Sequence, residues 1–190
     1  MKIIHVITGL NNGGAEAILY RLCKYDNINE HIVISMMDNG KYGELLKNEN
    51  LSVYTLNMSA GKLTFSGVVS LYKIIKKLKP DIVQTWMYHA NLIGGIVAKI
   101  AGIKKIVWGI HHSNLDKTHN KKSTIFIVKI LGKISNMVPT DIIFCAEKSA
   151  SLLTPIVFPS NGNPLITYKF SLGVLAANSL KESSILAASP

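Results

Sequence analysis

Apolar runs and amphipathic stretches alternate along the first three quarters of this chain. Residues 3–8 form an apolar, β-branched run that reads as a buried strand. A Gly/Asn-rich corner follows. Ala15, Ile18, Leu19, Leu22 and Cys23 then recur at the spacing of one helical face. Residues 31–37 read as a second strand, 43–48 as a short helix and 52–56 as a third strand. Residues 66–79 predict a helix with Val69, Leu71, Ile74, Ile75 and Leu78 inward and its lysines outward, stopped by Pro80. Residues 81–86 give a fourth strand. Residues 90–102 give a helix of small and apolar residues closed by Gly102. A fifth strand is expected at 104–110, a basic amphipathic helix at 121–136, a sixth strand at 141–145, and a further helix from Ala146.

Strands that read as continuous apolar runs and alternate with helices imply a parallel sheet covered on both faces. The predicted fold is therefore α/β, a Rossmann-like doubly wound domain. From about residue 154 the alternation stops. Pro155, Pro159 and Pro164 fall close together, charges become sparse, and Ser, Ala, Leu and Asn dominate. The expected organisation is one domain over 1–153 and an irregular tail over 154–190.

Composition narrows the partners. The 190 residues carry a formal net charge of +10, and 48% are hydrophobic, enough for a sizeable core. The excess of positive charge favours an anionic partner: nucleic acid, anionic lipid or a phosphorylated substrate. Almost every basic residue is Lys, with Arg21 the exception, and no stretch interleaves Arg with aromatics, so nucleic acid is not the expected partner. A Lys-rich solvated surface explains the charge equally well. Cys23 and Cys145 lie in no paired motif and read as reduced thiols of a cytoplasmic protein. The N-terminus lacks the layout of a secretory signal, and no apolar run reaches the length of a membrane span.

The corner "GLNNGGAE" is the first candidate for chemistry. It joins a strand's carboxyl end to a helix N-terminus, where unpaired N–H groups and the helix dipole favour anions. Gly13 and Gly14 would let a phosphate or sugar approach. A plain strand-to-helix turn capped by Asn11 or Asn12 explains the corner equally well. Two other glycine motifs are excluded or disfavoured. Gly9, Gly13 and Gly14 do not make G-x-G-x-x-G, which leaves Asp38 weak as a ribose acid. No Gly-Lys pair is followed by Ser or Thr, as a P-loop requires. His112, Asp116 and His119 offer a metal set only on paper, because a loop imposes no fixed ligand geometry; no metal and no cofactor are expected.

In order and spacing, "HVITGLNNGGAEAILYRL" and "KPDIVQTWMYHANLIGGIVAKIAGIKKIVWGIHHSN" resemble the N-terminal half of a GT-B glycosyltransferase of retaining family 4. The resemblance covers residues 1–153. It implies two Rossmann-like domains facing across a cleft, the first holding the acceptor and the second a nucleotide-sugar. It implies that Gly13, Gly14 and Glu16 lie near the donor, that His111 is the catalytic cleft residue contacting the reacting sugar, and that Trp86, His89, Asn91 and His112 line the acceptor side. Trp86 is equally a core residue by type, and His89 equally a helix cap. The implied partners are a nucleotide-sugar, bound at most weakly by this half alone, a glycan or lipid-linked acceptor, and an anionic inner-membrane surface bound peripherally. The family's E-x7-E pair has no match, since Glu147 and Glu182 are the only acids after Asp141. The expectation is a truncated or frame-shifted family member, inactive alone; a non-catalytic binding subunit and an NAD-type Rossmann enzyme are the alternatives.

Overall fold

The computed structural model describes residues 1–59, 61–111 and 122–144. Strands and helices alternate as the periodicity requires: β1 (Lys2–Ile7), α1 (Gly14–Tyr25), β2 (Glu30–Ser35), α2 (Gly40–Asn48), β3 (Ser52–Thr55), α3 (Phe65–Leu78), β4 (Ile82–Trp86), α4 (Tyr88–Ile100), β5 (Lys105–Ile110), α5 (Lys122–Ile134) and β6 (Asp141–Phe144). The predicted tail over 154–190, the domain boundary near 153, the helix from Ala146 and the residues His112, Asp116, His119 and Cys145 lie outside the described residues.

The six strands pair in the order β3-β2-β1-β4-β5-β6, and every pairing is parallel. This is the doubly wound arrangement, with the strand order reversing between β1 and β4. Side chains alternate across the pleat. Ile4, Val6, Val83 and Trp108 belong to a core shared with α3, α4 and α5, whereas Ile7, Val33 and Trp86 pack on the other face with Leu19 and Leu22 of α1. β3 departs from the expectation of continuous burial. It is an edge strand, and Ser52 and Tyr54 are exposed.

α4 lies closest to the sheet. A Cβ built on Gly94 would stand 3.0 Å from Thr85 Cγ2 and 3.1 Å from Val6 Cγ1; one on Gly95 would stand 2.6 Å from Trp108 Nε1. These two glycines are the price of a close helix-to-sheet approach. α5 turns Val128 and Leu131 into the same core and leaves Phe126, Lys129 and Lys133 exposed.

Gly95→Ala is expected to destabilise the fold by about 1–3 kcal/mol, the usual cost of an overpacked site. Urea unfolding should show a lower midpoint with an unchanged slope; an unchanged midpoint would contradict the tight packing of α4.

Candidate functional site at the carboxyl ends of β1 and β4

The glycine corner does not need its glycines for folding. Gly13, which caps α1, has φ −157°, an extended value open to any residue. Among the described residues the glycines with positive φ are Gly40, Gly61 and Gly102, none of them in the corner. A Cβ on Gly14 would meet nothing within 4 Å, and the atoms nearest to one on Gly13 belong to the movable carboxylate of Glu16. Asn11 and Asn12 are exposed, and no side chain caps α1. The capped-turn reading is thereby corrected: the first N–H groups of α1 have no side-chain partner among the described residues.

A second helix start faces the same space. Met87, between β4 and α4, has φ 71° and ψ 159°, a region that a residue with a Cβ adopts only at a cost of about 1–3 kcal/mol. Its N–H donates to the Gly109 carbonyl at 3.2 Å. The N-cap position of α4 is Met87, whose side chain makes no cap hydrogen bond, so the reading of His89 as its cap is likewise corrected. The two helix starts border a cavity of about 530 Å³, lined by Thr8, Gly13, Gly14, Ala15, Glu16, Ile18, Met87, Tyr88, His89, His111 and Thr124. The volume suits a small organic ligand, and the position is the crevice where the strand order reverses.

His111 follows β5 and forms part of the cavity wall. Burial lowers its pKa from 6.5 to about 4, so it is neutral near pH 7. Its ring stacks on Trp86, with centroids 4.7 Å apart and planes inclined by 17°. Gly109 leaves it room, since a Cβ there would stand 3.0 Å from His111 Nε2. Burial also lowers the pKa of His89.

Of the residues singled out by sequence, Gly13, Gly14, Glu16, His89 and His111 come together around the cavity. Trp86 and Asn91 do not, and the expectation that they contact a ligand is corrected. Trp86 is buried behind His111 and donates its indole N–H to His5 Nδ1 at 3.2 Å. Asn91 is fully buried; its Nδ2 donates to the Gly109 carbonyl at 3.1 Å, and its Oδ1 accepts from Thr85 Oγ1 at 2.7 Å. Both polar ends of Asn91 are thus spent inside the fold. His112 lies outside the described residues.

The sequence profile described as "Glycosyl transferase 4-like" matches residues 19–144. The chain belongs to that family. An Escherichia coli protein named UDP-Gal:alpha-D-GlcNAc-diphosphoundecaprenol alpha-1,3-galactosyltransferase is 28% identical over 102 residues, covering 41% of this chain and 26% of that protein. Anabaena HepE, solved in complex with UDP-glucose, superposes with a TM-score of 0.70 at 19% identity, covering 98% of this chain and 50% of HepE. The UDP-N-acetylglucosamine 2-epimerase from Rickettsia bellii superposes with a TM-score of 0.58 at 14% identity, over 100% of this chain and 49% of that one. These two likenesses establish the fold. The chain spans about half the length of the solved structures it matches.

Sequence reading missed several cavity residues of this glycosyl transferase 4-like chain: Thr8, Ala15, Ile18, Met87, Tyr88 and Thr124. Nothing in the identity of Met87 signals its backbone conformation. A position just past an apolar strand was the available cue for Thr8 and Met87.

The histidines predict a pH response. His5, His31, His89 and His111 all have lowered pKa values, with burial the largest cause in each. The unfolded chain therefore binds more protons than the folded one below pH 6.5, and stability falls as pH drops from there toward 4. For His111 the slope approaches one proton, about 1.4 kcal/mol per pH unit. Urea unfolding of His111→Gln between pH 6.5 and 4.5 should show a shallower decline by that amount; an unchanged slope would contradict the assigned neutrality.

Proposed function

We propose that the cavity takes the sugar and diphosphate of a nucleotide-sugar, and that the parent reaction transfers the sugar, with retention, to a glycan or lipid-linked acceptor. The observation that carries this reading is the convergence of two helix N-termini, neither capped by the side chain of its own N-cap residue, on one cavity beside a neutral histidine. Helix starts favour the oxygens of a diphosphate. Glu16 suits sugar hydroxyls, which donate to it. A neutral imidazole can hydrogen-bond a sugar that gains positive charge in the transition state, where an imidazolium would repel it. The UDP-glucose held by HepE and the diphosphoundecaprenol-linked substrate in the name of the E. coli relative support the substrate class.

No Lys or Arg lines the cavity among the described residues. Stabilising the departing nucleotide diphosphate calls for cationic or N–H groups aimed at the growing charge, and a facing donor-binding half would supply them. The described residues without such a half are therefore proposed to be inactive. The exposed lysines of α3 and α5, with Phe126 among them, are proposed to rest against an anionic membrane surface, each Lys contributing about 1 kcal/mol. No helix among the described residues is long and apolar enough to cross a membrane.

Gly14→Leu should leave stability within about 0.5 kcal/mol and weaken UDP-glucose binding about tenfold or more, a loss of at least ~1.4 kcal/mol; equal affinity by calorimetry would remove the corner from the site. The purified chain should show no multiple turnover with UDP-sugars, and sustained transfer would overturn the need for a second half. Co-sedimentation with anionic vesicles should fall with salt and with Lys129→Glu/Lys133→Glu; equal binding to neutral vesicles would contradict the membrane contact.

A further inference from the structure

A row of polar side chains lies behind the cavity wall, and the proposed reaction makes no direct use of it. β1, β2 and β4 bring His5, His31 and Trp86 to one face of the sheet, beneath α1. All three are buried, with His5 fully so. Trp86 Nε1 stands 3.2 Å from His5 Nδ1, and His5 Nε2 stands 2.9 Å from His31 Nδ1. His31 Nε2 is 3.1 Å from Asp26 Oδ2, close in distance but off the line of the N–H bond. Asp26 follows α1 and is fixed in turn by the Ile28 N–H at 3.0 Å and by Asn29 Nδ2 at 2.8 Å.

The direction of the row is set at one end. An indole N–H can only donate. His5 Nδ1 must therefore be the acceptor, and the proton of neutral His5 sits on Nε2. That proton is donated to His31 Nδ1, which places the His31 proton on Nε2, facing a carboxylate. Burial and the neighbouring His31 hold His5 neutral, and Asp26 opposes them only in part. Burial opposes ionisation of Asp26, but the hydrogen bonds from Asn29 and the Ile28 N–H, with His31 close by, outweigh it and keep its carboxyl below the usual value.

His5, Cys23 and His31 place their ligand atoms within 4.8 Å of one another, a spacing that a metal ion could also use. Two observations decide against the metal. The indole proton occupies the Nδ1 lone pair of His5, so the other proton sits on Nε2, the atom that would have to ligate. Burial also pushes the Cys23 thiol up to about 12, far from the thiolate that a metal takes.

We propose that His5, His31 and Asp26 are positioning residues for His111: they hold the Trp86 indole at one rotation, and the indole face holds the His111 ring at the cavity wall. The role in transfer rests on the sugar-donor reading of the cavity. The positioning itself is independent of ligand. His5 acts at a distance, through one hydrogen bond and one ring stack, on a residue that touches the cavity.

Nitrogen-resolved NMR of the 190-residue chain without ligand tests this separately from any binding result. Wild-type His5 and His31 should both be neutral near pH 7 with the proton on Nε2. In His5→Phe, the Trp86 indole N–H should move upfield and the His111 ring resonances should move with it. The Trp108 indole, which has no hydrogen-bond partner among the described residues, should stay in place as an internal reference. His5→Asn, whose Oδ1 falls near the former Nδ1, should restore both signals. A His5 proton on Nδ1 in the wild type would overturn the proposal even if His5→Phe fails to fold. So would a folded His5→Phe in which the His111 ring is unmoved, or a folded His5→Asn that fails to restore it. Failure of UDP-glucose to bind, with these signals as expected, would instead count against the donor reading.

Discussion

The carboxamide of Asn91 ties the first turn of α4 to two central strands, and the cavity depends on that tie. It accepts from Thr85 on β4 and donates to Gly109 on β5. The amide is fully buried, so losing either partner would leave a polar group unsatisfied at a cost of about 1–3 kcal/mol. The glycine pair at 94 and 95 lets the helix lie close enough for the tie to form. Together they fix where the helix begins, which places the start of α4 opposite the start of α1.

Met87 shows the consequence. The chain must leave β4 and enter a helix already pinned to the sheet, and the connecting residue takes a strained conformation to do so. Strain of this kind persists only where the surroundings over-determine it. Here they include the Met87 N–H bond and the Asn91 bond, both to the same Gly109 carbonyl. Glycines in this fold therefore serve two ends. Gly94 and Gly95 permit packing, whereas Gly13 and Gly14 are proposed to keep the backbone open to a ligand.

Most of the fold was legible because buried parallel strands and amphipathic helices have distinct periods. Each predicted strand among the described residues is present, with ends shifted by a few residues at most; α2 begins at Gly40 rather than 43 and α4 at Tyr88 rather than 90. The site was legible only in part. Gly13, Gly14, Glu16 and His111 stood out by type and by the family resemblance. Trp86 and Asn91 stood out for the same reasons yet are buried behind the cavity lining, because side-chain direction at a strand end is set by tertiary packing. The His5–His31–Asp26 row left no sequence signal: its members lie on separate elements and meet only through strand order.

The central claim is that the starts of α1 and α4 act together as one anion-binding cradle beside His111. Amide NMR during titration with UDP-glucose tests it most directly. Saturable downfield shifts of the amides of residues 14–16 and 88–90, moving with one apparent Kd, are the predicted result. Shifts confined to one helix start, or elsewhere on the sheet with both starts silent, would contradict it.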